Sequence, residues 1–274
     1  MYLFPIWYLI IITCVEFALG LLLTYTLGVI QGNFRPIFPY ISDTGAYPIE
    51  NGFFVLVFAI TSFLVIIIIY IRFKDAHTHL EGLFHRIFNF IVLVIGVAAI
   101  FFLMGVAAFE SDDSSLSSKF HFTCAGLTIF LELFFEIGQV IIGIMLPPKR
   151  VWWKWIVFAI QLSITTICLV LAIFFFALIF HPSRVFYREN RNSTMVDTIT
   201  SDLQNNATQV EFFNLGLRID YARACTEWML FVLVVAFYFT FIPDFNRIQV
   251  NLVITRPKDI IIMEKVPTGE VQTS

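Results

Sequence analysis

The sequence predicts an all-α, polytopic integral membrane protein with six transmembrane helices in one bundle. Hydrophobic residues make up 59% of the 274 residues and charged residues only 14%, whereas soluble domains carry about 25% charged residues. The apolar residues also fall into six runs close to the roughly 17–25 residues that a helix needs to cross a bilayer. Helices are expected because runs such as 63–71 lack the alternation of membrane β-strands. We place the spans at 6–30, 53–71, 87–109, 120–146, 155–180 and 225–243.

The distribution of charge and cysteine excludes several other classes of protein. Only four charged residues, all glutamates, lie inside the predicted spans. The net charge of −3 argues against a generally basic nucleic-acid binder. The four cysteines lack CxxC spacing, which argues against a zinc ribbon. We therefore predict no nucleic-acid partner, no metal site and no cofactor.

The basic residues of the connections predict that both termini are cytosolic. With the N-terminus in the cytosol, ten Lys and Arg fall on the cytosolic side and seven on the other. Two glycosylation sequons, at Asn192 and Asn206, both lie in the 181–224 loop, which this orientation makes external. We therefore expect a transmembrane domain over residues 1–245 and a flexible cytosolic tail over 246–274, with protein partners at the tail and the cytosolic turns.

Four glutamates and two glutamines interrupt the apolar spans, and they are the strongest local signal. Glu132 lies near the middle of the fourth span, Glu136 follows one turn later on the same face, and Gln139 extends the stripe. Glu16, with Gln161, could join them. No Lys or Arg lies within the six spans, so we expect at least one of these glutamates to be protonated. Two interpretations remain open: a proton-linked or lipid-headgroup site, and a neutral hydrogen-bonded network that fixes helix packing.

A second group of polar residues is predicted at the external ends of the segments. Asp43, His121 and Glu227 could converge there. A histidine beside a carboxylate is a base that a hydrolase or acyltransferase could use. The alternative is an interlocked cap, in which Asp43 bonds its own turn and His121 meets Glu227.

Two cysteines, Cys124 and Cys225, are also predicted at external helix ends. An oxidising lumen would permit a disulfide between them. Free buried thiols are the alternative and the default expectation.

Three motifs resemble one family of six-span membrane proteins. The first external loop reads PYISDTG over 39–45, followed by Pro48 and Glu50, and the fourth span opens with HFTCAG over 121–126. The sixth span begins ACTEW at 224–228 and continues through FTF at 239–241 to DF at 244–245. This order resembles the DRAM-like family: the damage-regulated autophagy modulators, their plasma-membrane SFK-type relatives and the GPI-lipid-remodelling FRAG/CWH-type proteins. The resemblance covers about residues 5 to 254.

The resemblance implies lysosomal, endosomal or plasma-membrane residence and a function in autophagy or lipid organisation. Our leading hypothesis is a non-enzymatic regulator of autophagy, lysosomal function or membrane-lipid organisation, with membrane lipids among its partners. We expect it in lysosomal or endosomal membranes, with the plasma membrane and the Golgi or ER as alternatives. Two further hypotheses are a lipid-modifying enzyme, by analogy with the GPI-remodelling relatives, and a proton-linked channel or lipid transporter. The last requires a continuous polar path past Glu16, Glu132 and Glu136.

Overall fold

The protein is an integral membrane protein, and its described residues form six long helices. The computed structural model describes residues 5–33, 39–109, 116–146, 151–185, 207–246 and 248, and within these ranges no strand occurs. Six of its helices are long and apolar enough to cross a membrane, which confirms the predicted fold class. The helices are α1 (Trp7–Gln31), α2 (Pro48–His79), α3 (Leu83–Ala108), α4 (Leu116–Met145), α5 (Val151–Ile179), α6 (Ala207–Phe239) and the short α7 (Ile242–Phe245), with a 3₁₀ turn at Ser42–Gly45 before α2.

Several helices extend beyond the apolar runs that predicted them. Helix α2 begins at Pro48, a residue suited to the first helical turn because its missing N–H has no partner there anyway. Helix α1 ends where Gly32 adopts a left-handed conformation with φ 73°. Helix α6 begins at Ala207 rather than near 225. The apolar run marks the part of a helix suited to the membrane, whereas turn and capping residues determine where the helix ends.

Small residues allow α3 and α4 to pack closely. A Cβ atom at Gly96 would overlap the ring of Phe135, and one at Gly138 would overlap the side chain of Val92. Within a bilayer, where lipid is as apolar as the helix faces, close van der Waals packing of this kind drives helix association. These two glycines therefore fix how closely the third and fourth spans approach each other.

The buried aromatic side chains divide the interior into two main regions. One region contains Phe135, Phe237 and Phe245 and lies at the level where α6 passes into α7. The other contains Phe17 and Phe54 and lies beneath the 3₁₀ turn. Helix α6 packs along α5 and approaches α1 closely at only a few points, which leaves space between α6 and the first four helices.

Candidate functional site

Residues 39–45 form a cap over one end of the bundle, and this cap is bonded to α6. The backbone N–H of Ile41 donates to Oε2 of Glu227 at 3.2 Å. The indole Nε1–H of Trp228 donates to the carbonyl oxygen of Pro39 at 2.9 Å. Glu227 and Trp228, which are consecutive residues of α6, thus hold the loop that precedes α2.

A buried polar cluster holds the cap from the side. The hydroxyl of Tyr40 donates to Oδ1 of Asp220 at 2.7 Å, and Nε of Arg184 donates to the same oxygen at 3.2 Å. The Arg223 guanidinium lies 5.3 Å from the centroid of the Tyr40 ring and 4.5 Å from that of Phe175, within cation–π range. Burial and the nearby Asp220 carboxylate raise the pKa of the Tyr40 phenol well above its usual range, so Tyr40 remains a donor.

The three residues predicted to converge at the external side are used in different ways. Oδ2 of Asp43 accepts a hydrogen bond from the backbone N–H of Tyr40 at 3.3 Å, within its own turn. The Asp43 and Glu227 carboxyl groups are close enough to interact electrostatically. His121 Nδ1 lies 2.9 Å from the carbonyl oxygens at positions 106 and 109 of the α3 end. In the described part of the chain, no hydrogen bond joins His121 to Glu227.

A cavity of about 210 Å³ lies beneath the cap and extends into the bundle. Side chains from α1, α2, α3, α4 and α6 line it, with one residue of α5, and most of them are apolar. Ser42 and Glu227 line the cavity on the cap side, while Glu132 and Tyr238 line it deeper along α4 and α6. The cavity therefore connects one member of the predicted external cluster with one member of the predicted intramembrane site.

The two central glutamates are buried, and among the described residues neither has a basic partner. Glu132 is 7% exposed and Glu136 is 0% exposed. Glu132 faces the Tyr238 hydroxyl without forming a close hydrogen bond, and the Cys168 thiol donates to Oε1 of Glu136 at 3.9 Å. Among the described residues, Oε1 of Glu132 and Oε2 of Glu136 have no hydrogen-bond partner. A buried polar atom that lacks a partner costs about 1–3 kcal/mol.

The other two polar residues that could join these glutamates are bonded elsewhere. Oε2 of Glu16 accepts a hydrogen bond from the Thr61 hydroxyl at 2.7 Å. Nε2 of Gln161 donates to the Thr240 hydroxyl oxygen at 2.8 Å. Thr61 also lines the cavity, so Glu16 is linked to the cavity wall through this hydroxyl.

A buried arginine, which the sequence does not predict as part of the intramembrane site, lies at the end of the bundle opposite the cap. Arg72 is 2% exposed, its Nη1 donates to Oδ2 of Asp244 at 2.8 Å, and its Nε donates to Oε1 of Gln139 at 3.2 Å. Its guanidinium also lies 5.2 Å from the centroid of the Phe241 ring and 3.6 Å from a carboxylate oxygen of Asp75. Gln139 is thus a partner of Arg72. The available signal was that Arg72 directly follows the second predicted span and Asp244 belongs to the DF motif.

The two cysteines predicted at external helix ends are free thiols, and the remaining predicted sites lie outside the described residues. All four cysteines are free in the structure, including Cys124 and Cys225, and the Cys124 side chain packs against Gly105 of α3. Asn192, Asn206 and nearly all of the predicted tail over 246–274 lie outside the described residues. Glycosylation, the tail and the orientation of the termini remain predictions.

Comparison with known proteins supplies the family. The model of the Frag1/DRAM/Sfk1/Cwh43P N-terminal domain matches residues 5–248 of the chain. The chain belongs to this family. This membership confirms the resemblance inferred from the three motifs. No solved structure matches the chain.

Two curated members of the family give a measure of similarity. DNA damage-regulated autophagy modulator protein 2 of Rattus norvegicus is 23% identical over 223 residues, which cover 79% of this chain and 75% of that protein. DNA damage-regulated autophagy modulator protein 1 of Homo sapiens is 32% identical over 91 residues, which cover 32% of this chain and 38% of that protein. The match to the human protein therefore spans well under half of its length.

Proposed function

We propose that this chain is a non-enzymatic, multi-pass regulator of autophagy or membrane-lipid organisation that resides in lysosomal or endosomal membranes. The observation that carries the proposal is the match to the rat autophagy modulator protein 2, which extends over most of both chains. The shorter match to the human protein 1 points to the same process. Both relatives have autophagy in their names, and neither name describes a chemical reaction.

The geometry beneath the cap supports a structural or binding function for the external carboxyl groups. The Asp43 carboxylate accepts a backbone N–H of its own turn, and the Glu227 carboxyl accepts the Ile41 N–H. His121 Nδ1 is engaged with the end of α3. A general acid–base pair would instead need its histidine and a carboxylate aimed at one reacting group. Both carboxyl groups therefore hold the cap, and on this ground we propose a binding or organising function for it.

The proposal is tested first in cells that lack the protein. A tagged copy should colocalise with a lysosomal marker, and it should restore the autophagic flux that is measured as cargo accumulation when lysosomal degradation is blocked. Localisation confined to the plasma membrane, Golgi or ER would contradict the proposed compartment. Unchanged flux in the absence of the protein would contradict the regulatory role.

Reconstitution in liposomes separates the proposal from its two alternatives. We expect the purified protein to hydrolyse no lipid and to carry no proton current. Hydrolysis that is lost in His121→Ala protein, at equal amounts of folded material, would favour the lipid-modifying enzyme. Proton flux or lipid movement that is lost in Glu132→Gln protein would favour the proton-linked transporter.

A further inference from the structure

The cavity beneath the cap is elongated along the bundle. Glu227 and Tyr238 line it at different levels of α6, and they are separated by about 16 Å at ~1.5 Å per helical residue. A sphere of 210 Å³ would be only about 7 Å across. The space is therefore suited to a narrow, extended occupant rather than to a compact ring system.

Unsatisfied polar atoms are concentrated in one part of this apolar wall. Three lining residues, Thr128, Glu132 and Tyr238, each have a buried oxygen without a hydrogen-bond partner among the described residues: Oγ1, Oε1 and the phenolic oxygen. Thr128 and Glu132 lie one turn apart on α4, hence on one face, and Tyr238 lies beside Glu132 from α6. Glu132 and Tyr238 face each other outside hydrogen-bond geometry. Because buried polar atoms are nearly always paired in native proteins, a polar group that bridges these two side chains and Thr128 fits this part of the cavity.

The walls beyond this polar triad are apolar. Val106 of α3, Ala125 of α4 and Leu230 of α6 line the cavity on the cap side of the triad. A hydroxyl is the simplest head that fits, because it can donate to a carboxyl oxygen and accept from a neighbouring hydroxyl. By comparison with a dry cavity of about 150 Å³ that holds benzene, the available volume accommodates on the order of eight carbon atoms.

We propose that the cavity is a binding site for a single-chain amphiphile, whose hydroxyl head lies among Thr128, Glu132 and Tyr238 and whose chain extends toward the cap. The polar triad recognises the head, and the apolar wall excludes water from the chain. This inference goes beyond the proposed function and does not depend on it, because it concerns binding by the purified protein.

Photolabelling in reconstituted vesicles tests the site directly. The protein is placed in phosphatidylcholine vesicles with a photoreactive octanol, in which a diazirine replaces one chain methylene, and labelled peptides are identified by mass spectrometry. We expect saturable labelling of α4 around Ile129 and of α6 around Leu230, which unlabelled octanol suppresses. Labelling spread over the lipid-facing surfaces of α1 and α5, without saturation, would overturn the proposal.

Variants that fill the cavity test whether the chain of the amphiphile binds there. Ala125→Phe and Val235→Phe each add a ring to the lining of the cavity, and either one, if it elutes as a monodisperse protein, should lower labelling at least tenfold. Ala18→Phe makes the same kind of change on an exposed position of α1 and should leave labelling unchanged. Equal labelling in the filled and control variants would overturn the proposal.

Removing the Glu132 carboxyl group tests whether the hydroxyl head of the amphiphile binds at the polar triad. Glu132→Leu should weaken suppression by unlabelled octanol about tenfold, while the labelling pattern of a photoreactive octane stays the same. If octane suppresses labelling as well as octanol does in the unmodified protein, the site selects only apolar volume, and the polar triad is satisfied by water. That result would contradict the assigned head.

Discussion

The ion pair between Arg72 and Asp244 can be tested quantitatively because one partner is buried and the other is accessible. The side chains are 3% and 33% exposed, and Nη1 lies 2.8 Å from Oδ2. We propose three variants: Arg72→Met, Asp244→Asn and the double substitution. Methionine keeps the length and apolar stem of the arginine side chain and removes its charge.

The expected coupling follows from the distance and the exposure. Two unit charges 2.8 Å apart attract by about 6 kcal/mol at an effective dielectric constant of 20. Desolvation of the guanidinium and the exposure of the Asp244 carboxylate offset much of this attraction. Asp75 also stays 3.6 Å from the arginine when Asp244 is neutralised. We therefore expect a coupling of about 2 kcal/mol, near the lower end of the ~1.5–7 kcal/mol measured for close charge pairs.

The assay is the free energy of unfolding in mixed detergent micelles, measured for all four proteins of the cycle. Arg72→Met should be more destabilising than Asp244→Asn, because it also leaves Gln139 without its donor. Lys74→Met is the matched control, since Lys74 is exposed on the same helix, and its effect should be small. Effects of the two single substitutions that add to within about 0.5 kcal/mol would show that the pair is not coupled and would refute the reasoning.

Three further substitutions test the cap and the α3–α4 interface. Asp220→Ala removes the acceptor shared by the Tyr40 hydroxyl and the Arg184 guanidinium and should cost about 2–3 kcal/mol. Amide hydrogen exchange at 40–45 should accelerate, unlike in the exposed control Glu211→Ala. Trp228→Phe removes one hydrogen bond to the cap and should lower stability by about 1 kcal/mol, measured by the same unfolding titration; no loss would mean that water replaces the bond. Gly138→Ala should lower the unfolding temperature, because its Cβ overlaps the facing helix, whereas Gly126→Ala meets only ordinary contacts and gains helix propensity; equal shifts would contradict the close packing.

The number and type of the helices could be predicted because the apolar runs are long and nearly free of charge. The start of α6 could not, since residues 207–224 are helical but include Glu211, Arg218 and Asp220. Such residues lower the hydropathy of a segment without preventing helix formation. The length of a hydrophobic run follows from the thickness of the hydrocarbon core, whereas the length of a helix follows from helix propensity and capping.

The sequence predicts the level along the bundle at which each candidate residue lies. It predicts much less well which neighbouring helix each side chain faces. Asp43 and Glu227 lie together, as their positions at segment ends on one side of the bundle suggested. The partners of Gln139 and Glu16 depend on the rotation of each helix about its axis. A helix that is apolar on nearly every face carries little periodic signal for that rotation. The apolar run that predicts the second span also ends just before Arg72, so hydropathy alone places this arginine in a connection.

Helix α6 spans the whole distance between the two ends of the bundle as one uninterrupted rod. Its 33 residues extend about 48 Å at ~1.5 Å per residue. The rod carries the attachments of the cap near Glu227, the wall of the cavity at Tyr238, and through α7 the carboxylate that holds Arg72. A rotation of α6 as one rigid body would therefore displace the cap contacts, the Tyr238 side of the cavity and the Asp244 carboxylate together.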